Sequence, residues 1–234
     1  MTLLKATAAA IVAAALLSGC DNSPEFTDQD FAAARQAAIT APDTMLALEQ
    51  FRKTLGDYGT CSGVVIGPAE AKTCQARDEA EREILMAGIA KGSVSAYAYA
   101  YDDRNNDDLL YSIPDKTRYL QQHADHLIAL ADSAETRPEN GKLLFLAGQA
   151  LQNGWYSTQD SARAIGLLLR AWQAGYTDSA GELADTYKFL KDKPRAYFWQ
   201  LRSQQGVTNS TDAMTGGQIL EIQRLAADKQ RLNL

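Results

Sequence analysis

Residues 160–181, DSARAIGLLLRAWQAGYTDSAG, carry the clearest pattern in the chain. Apolar side chains recur there at i, i+3, i+4 and i+7, the spacing that places them on one face of an α-helix: Ile165, Leu168, Leu169 and Trp172. Asp160 occupies the position of an N-cap, and Gly175 lies where a helix commonly ends in a left-handed residue. The stretch therefore predicts one amphipathic helix whose two ends are both marked in the sequence.

Helical periodicity continues over most of the chain, and no strand–helix alternation interrupts it. The spacing of apolar residues predicts about ten helices, at 28–40, 43–55, 76–90, 94–102, 115–134, 140–153, 159–174, 178–190, 194–205 and 214–230. Glycine, proline, asparagine and aspartate separate them, as is typical of short connections. We therefore predict an all-α fold.

The pattern of residues 160–175 is followed by a second copy. Residues 194–206, PRAYFWQLRSQQG, again combine bulky side chains with a terminal glycine, Gly206. A shorter, alanine-rich helix precedes each copy. Because one helix pair cannot bury its own apolar face, such pairs stack on one another. Ten short helices could also form a compact bundle, but the internal repeat favours an α-solenoid of stacked antiparallel helix pairs.

These residues resemble the Sel1-like repeat, a relative of the tetratricopeptide repeat. The matching positions are Ala147-Gly148, Gly154, Asp160, Arg163-Ala164, Arg170-Ala171, Gly175 and the run Arg195-Ala196-Tyr197-Phe198-Trp199. The resemblance covers residues 141–206 and, less closely, 78–103, and it departs from the family at Tyr156 and Ser157, where glycine and valine are usual. It implies a protein-binding solenoid whose function resides in its surface side chains.

The N-terminal sequence is typical of an exported protein. Residues 6–17 form an apolar run of twelve residues, shorter than the roughly 20 that span a bilayer, so it is interpreted as a secretory signal. The motif LSGC at 17–20 resembles the lipobox of bacterial lipoproteins, in which the cysteine is acylated and becomes the first residue. An ordinary signal peptide that contains a cysteine is the alternative. We expect a signal peptide at 1–19, lipidated Cys20 and a tether at 20–27, and one helical repeat domain at 28–234.

The expected membrane location and the net charge of the chain restrict the kinds of partner that it can bind. Asp21 resembles the residue that retains lipoproteins in the inner membrane of enteric bacteria. Other bacteria use other positions for this signal, so the sequence does not decide between the inner and the outer membrane. Removal of residues 1–19 deletes Lys5 and takes the net charge from −6 to −7. Because nucleic acids are bound by clustered cations, this acidity argues against a nucleic-acid partner.

Two cysteines remain once Cys20 carries lipid. An oxidising compartment favours a disulfide between Cys61 and Cys74, and the closed loop of about 14 residues would contribute roughly 3 kcal/mol to stability. A two-cysteine metal site is the alternative, although no histidine is close in sequence. Exported proteins of the family that the chain resembles often carry a disulfide within a helix pair.

Two segments are candidates for partner contact. The stretch DDRNNDDLL at 102–110 carries four aspartates, Asp102, Asp103, Asp107 and Asp108. It mimics the start of a calcium loop, but an aspartate replaces the required glycine and a proline stands at position 12. A solvated loop and an acidic patch that docks on a basic partner are the alternatives.

The second candidate segment is the aromatic pair Trp155 and Tyr156. These residues are candidate anchors for a partner, since aromatic residues are enriched at binding hot spots. Packing against the adjacent repeat is the alternative.

No residue set points to catalysis. His123 and His126, the only histidines, are spaced i, i+3 and would need a third metal ligand from elsewhere, so we interpret them as polar residues at the edge of an apolar stripe. A nucleophile elbow, a phosphate loop and a zinc-protease motif are all missing from the sequence. We predict no catalytic residue, no cofactor and no metal site.

We therefore expect a membrane-anchored, periplasm-facing module that binds another protein. One such role is an envelope scaffold or adaptor. The other is an immunity protein, because lipoproteins with Sel1-like repeats occur as neutralisers of secreted toxins, including lipase effectors of type VI secretion. The alternative is an envelope enzyme that acts on glycans or peptides through two groove carboxylates about 5–10 Å apart.

Overall fold

A computed structural model describes residues 26–56, 67–101, 108–154, 156–203, 211 and 214–234. These residues form eleven α-helices and no strand, so the predicted all-α class is confirmed for them. The helices are α1 (Asp28–Thr40), α2 (Thr44–Leu55), α3 (Pro68–Ala90), α4 (Val94–Ala100), α5 (Asp108–Tyr111), α6 (Lys116–Ser133), α7 (Gly141–Asn153), α8 (Ser161–Gln173), α9 (Ser179–Phe189), α10 (Lys193–Gln200) and α11 (Gly216–Ala227). A 3-10 turn, Pro138–Asn140, precedes α7.

Side-chain caps mark where several helices begin. The predicted cap of α8 is confirmed, since the Arg163 N–H donates to Asp160 Oδ1 at 3.0 Å. Asp43 and Asp192 cap α2 and α10 in the same way. Such a carboxylate satisfies an amide that the helix itself leaves without a partner.

Three helices end with the same backbone motif. At the ends of α3, α8 and α9, an amide N–H donates back to the carbonyl five residues earlier, at 2.9 Å each time. The residue just before that amide is left-handed: Gly92 (φ 81°), Gly175 (φ 88°) and Lys191 (φ 60°). This is the Schellman motif, and it confirms the predicted role of Gly175. The next helix starts directly after each of these turns.

The helices pack in the order of the chain. We call α2, α4, α7 and α9 the first helices and α3, α6, α8 and α10 the second helices. Each first helix contacts the first helix of the next pair, and α7–α8, α8–α9, α9–α10 and α10–α11 are all packed neighbours. This is the order that stacked helix pairs require. The concave surface expected of a solenoid stays a prediction.

Contacts at the starts of the first helices show that these helices run in one direction. Ser95, at the start of α4, donates its hydroxyl to Asp43, the cap of α2, at 2.8 Å. Near the starts of α7 and α9, the ring of Phe145 lies 4.9 Å from that of Tyr176. Further along the same two helices, Gln149 contacts Glu182 at 3.5 Å.

A ring contact relates the ends of α4 and α7. Tyr101 follows α4 and Tyr156 follows α7, and their ring centroids are 5.3 Å apart. The C-terminal ends of α2, α4, α7 and α9 therefore lie on one side of the molecule, which we call the carboxyl edge. The second helices begin at this edge.

The buried face of α8 differs from the prediction. Its buried residues are Ala164, Leu167, Leu168 and Ala171. Of the predicted stripe only Leu168 is fully buried, whereas Ile165, Leu169 and Trp172 are partly buried against the core. The reason is that α8 packs against α7 and α9 together, so its apolar surface is wider than one stripe.

Several helix bounds also differ from prediction. Helix α3 begins at Pro68 rather than at 76, and the short α5 was not predicted. Helices α10 and α11 are shorter than expected, ending at Gln200 and Ala227. The predicted terminal Gly206 lies outside the described residues.

Candidate partner-binding site

The structure describes two of the six predicted partner-binding residues, Asp108 and Tyr156. The other four lie outside the described residues: Trp155, Asp102, Asp103 and Asp107. The same is true of Cys20 and Cys61. Cys74 lies on α3 and is 9% exposed. Because Cys61 lies outside the described residues, the disulfide between Cys61 and Cys74 stays a prediction.

At the carboxyl edge, the residue that precedes the acidic stretch contacts the predicted anchor Tyr156. Tyr101, directly before the acidic stretch, is buried and packs edge-on against Tyr156, with the two ring planes at 82°. Its hydroxyl donates to the Leu120 carbonyl at 2.5 Å, which fixes the ring on α6. The end of α4 and the loop after α7 therefore form one continuous surface.

Helix α5 adds a third tyrosine to this surface. Leu109 and Leu110 are buried and anchor the short helix, whereas Asp108 at its start is exposed and Tyr111 at its end is 58% exposed. The ammonium group of Lys116 lies 4.0 Å from the Tyr111 ring centroid, a cation–π contact. We call Tyr101, Tyr111 and Tyr156 the tyrosine cluster.

The phenols of Tyr101 and Tyr156 stay neutral at physiological pH. Burial raises the pKa of Tyr156, and the nearby Tyr111 raises it further. Burial likewise raises the pKa of Tyr101, with smaller contributions from Tyr97 and Tyr156. A neutral phenol can both donate and accept a hydrogen bond. Tyr156 therefore offers aromatic area together with an uncharged hydroxyl group.

Large apolar side chains are exposed along the same edge. Besides Tyr111, they include Phe189 at 59% and Leu190 at 47%, at the end of α9. Exposed apolar groups that occur together, rather than singly, mark interaction surfaces. The carboxyl edge thus carries both the predicted anchors and further exposed apolar residues.

The carboxylates that line the two described grooves already have partners. A groove of about 720 Å³ between α1 and α2 contains Asp30, whose pKa is lowered by hydrogen bonds from Thr27. A groove of about 600 Å³ between α1, α3 and α6 contains Glu79 and Glu83. Both are ion-paired, Glu79 with Arg82 at 3.3 Å and Glu83 with Arg35.

The two histidines lie at the boundary between core and solvent. His126 is exposed, and its Nδ1 is 3.2 Å from the Tyr97 hydroxyl. His123 is partly buried, with its Nδ1 2.9 Å from the Tyr119 carbonyl. Within the part of the chain that the structure describes, no three histidine, cysteine or acidic side chains come together as a metal site.

Sequence reasoning missed Tyr101 and Tyr111 as parts of the site. Tyr101 was interpreted as the end of a helix, and Tyr111 lies on a helix too short to show periodicity. A usable signal was present, because each of them flanks the acidic stretch at 102–110. An aromatic residue next to a charged loop is a combination that binding surfaces favour.

Comparison with known proteins gives no match: no family model fits the sequence, and no curated protein or solved structure is significantly similar to it. None of the described helices is both long enough and apolar enough to cross a bilayer.

Proposed function

We propose that this protein is a lipid-anchored, periplasm-facing helical repeat protein that binds another protein through the tyrosine cluster. The single observation that supports this role is the contact between Tyr101 and Tyr156. It brings Tyr101, the residue that directly precedes the acidic stretch at 102–110, against the predicted anchor Tyr156, although the two tyrosines belong to different helix pairs. Binding hot spots are rich in aromatic residues that cluster near the centre of an interface.

The surroundings of the cluster favour a partner with a basic surface. Asp108 is exposed beside the cluster, and the stretch that it ends carries three more aspartates. Opposite charges at the rim of an interface speed the encounter of two proteins and fix their orientation. An envelope scaffold and an immunity protein would both use such a surface, so the partner's identity decides between them.

The proposal includes acylation of Cys20 and a disulfide between Cys61 and Cys74. The anchor would hold the domain at the membrane, since each buried methylene contributes about 0.8 kcal/mol to insertion. The disulfide would staple the start of α3 to the segment before it. The intact mass of protein extracted from membranes checks both, because acyl chains add mass and a disulfide removes two hydrogens.

Photo-cross-linking in cells tests the binding surface. A photoreactive phenylalanine analogue at position 111 should give a discrete adduct with one envelope protein, because Tyr111 is exposed at the proposed interface. Leu220 is the matched control position, since it is 68% exposed but lies on α11. The same analogue at 220 should give no adduct of that mass.

Loss of the adduct on substitution of a neighbouring tyrosine then tests the cluster itself. Tyr156→Ala should weaken the 111 adduct at least about tenfold, since truncation of a hot-spot residue costs upward of 2 kcal/mol. Adducts of equal strength at 111 and 220, or none at either site, would contradict the proposal. The mass of the adduct identifies the partner and separates scaffold from immunity roles.

A further inference from the structure

The corner between α9 and α10 is an exposed apolar point surrounded by cations. Phe189 and Leu190 are 59% and 47% exposed. The segment Lys188–Arg195, KFLKDKPR, contains three lysines and one arginine against a single aspartate, and all four cationic side chains are exposed. The rest of the chain is acidic, so this corner is a local reversal of charge.

Two of these cations form no ion pair with any residue that the structure describes. Arg195 pairs with Asp192 at 2.9 Å. In contrast, Lys188 and Lys191 form none of the ion pairs found among the described residues. They flank Phe189 and Leu190 directly on both sides. The apolar pair is therefore flanked by two ammonium groups that form no ion pair within the described part of the chain.

The backbone places one of these lysines at an unusual position. Lys191 has a φ of 60°, at the point where the ends of α3 and α8 carry Gly92 and Gly175. A side chain is disfavoured in this left-handed region, which glycine adopts without penalty. A lysine at this position adds exposed positive charge where a glycine would give the more relaxed turn.

The corner lies on the same edge as the start of α1. The rings of Phe31 and Phe51 are 5.8 Å apart, which places the first turns of α1 beside the last turns of α2. Phe26 lines the same groove as Thr54, near the end of α2. The chain therefore enters the domain at the carboxyl edge, where α9 ends with Phe189.

We propose that the corner formed by Lys188, Phe189, Leu190 and Lys191 binds the surface of an anionic phospholipid bilayer. Apolar side chains at a protruding turn can enter the headgroup region while flanking lysines contact anionic lipids. An acidic protein is the other polyanion that such a corner could meet. A bilayer is favoured because the apolar pair is exposed and lines neither of the two described grooves, and because the chain leads toward its proposed lipid anchor from the same edge.

Vesicle sedimentation tests this with a chain that begins at residue 21. This chain retains every described residue but neither the signal sequence nor Cys20, so the acyl anchor cannot contribute. It should sediment with vesicles that contain phosphatidylglycerol, much less with pure phosphatidylcholine, and progressively less as salt is raised. Because the test omits the partner and the anchor, its result is independent of the protein-binding role proposed above.

Variants assign the effect to the corner. Lys188→Glu with Lys191→Glu should weaken vesicle binding by more than about 20-fold, as each lysine near an anionic surface contributes about fivefold. The control, Lys142→Glu with Lys229→Glu, changes the net charge equally at two exposed lysines elsewhere and should bind almost as well as wild type. Phe189→Ser should also weaken binding, whereas Leu220→Ser should not.

Lys191→Gly separates lipid contact from folding. It relaxes the left-handed turn, so the variant should fold at least as stably as wild type and still bind vesicles about fivefold more weakly. Undiminished sedimentation of the double lysine variant, or no sedimentation of the wild type at low salt, would overturn the proposal. Binding to polyglutamate in the absence of vesicle binding would assign the corner to an acidic protein instead.

Discussion

Gly148 allows the closest approach of α7 and α8. A methyl group at this position would lie 2.8 Å from Leu168 Cγ and 3.3 Å from the Ala164 carbonyl oxygen, and both of these residues are fully buried. The side chain of Leu168 has no space to withdraw into a packed core. The lack of a side chain at Gly148 therefore allows the observed distance between α7 and α8.

Gly148→Ala should destabilise the protein by about 1–3 kcal/mol, because it overpacks this contact. Gly166→Ala is the matched control on α8, since a methyl group there meets nothing within 4 Å. The control should raise stability by about 0.5–1 kcal/mol, the usual advantage of alanine over glycine in a helix. Urea denaturation followed by circular dichroism measures both, and equal effects would refute this account.

Asp43 connects two helices through one carboxylate. It accepts the Leu46 amide N–H at 3.1 Å as the cap of α2, and the Ser95 hydroxyl at 2.8 Å from the start of α4. These hydrogen bonds, the amide first and the hydroxyl second, lower the pKa of Asp43. One side chain thus holds the starts of two first helices in register.

Asp43→Ala should lower stability at neutral pH by about 1 kcal/mol, the usual cost of losing a cap. Because the pKa is lowered in the folded state, the ionised carboxylate stabilises the fold above the unfolded-state pKa of about 3.9. This contribution is lost as the pH falls through the lowered pKa. The difference between wild type and Asp43→Ala in urea denaturation should therefore shrink in acid.

Asp178 provides the control for this prediction. It also occupies the N-cap position of a helix, α9, but its side chain makes no capping hydrogen bond. Asp178→Ala should change stability by less than about 0.5 kcal/mol at any pH. A loss as large as that of Asp43→Ala would show that the capping bond is not the cause.

The sequence predicted helices well where an apolar stripe has a regular period, as in α1, α2 and α7. It placed the start of α3 too late because the segment PAEAKTCQ carries no apolar stripe. It missed α5 because four residues are too few for a period to appear. The site was only half predicted, since the meeting of Tyr101 and Tyr156 depends on how two helix pairs stack, and no local pattern encodes that.

At the scale of the whole molecule, one arginine binds the C-terminal end of α11 through several hydrogen bonds. Arg202 donates hydrogen bonds to the carbonyls of Ala226, Asp228 and Arg231 at the end of α11. Its guanidinium also lies 4.0 Å from the Phe198 ring centroid. Burial lowers the pKa of Arg202, an effect that the charge of Asp228 opposes. A cation at a helix C-terminus also complements the helix dipole.

Arg202→Met should loosen α11 without unfolding the rest of the chain, because stacked helix pairs contact mainly their neighbours. Hydrogen exchange of α11 amides should become at least about tenfold faster, since several charge-assisted hydrogen bonds are lost. Amides of α2 and α3 should exchange at the wild-type rate. Arg224→Met is the control, as this exposed arginine pairs with Glu221 within α11 itself. Uniformly faster hydrogen exchange along the chain would contradict a packing in which each helix pair contacts mainly its neighbours.

The common direction of the first helices also decides how far this protein would reach from a membrane. An anchor on Cys20, six residues before Phe26, allows about 21 Å of extended chain at most. With that tether at one end of the stack and the Lys188–Lys191 corner near the other, the stack would lie along the bilayer. Its height would then be one helix, about 20 Å for the thirteen residues of α8. The tyrosine cluster lies on the same edge as the corner, so a partner would have to bind it at the bilayer surface.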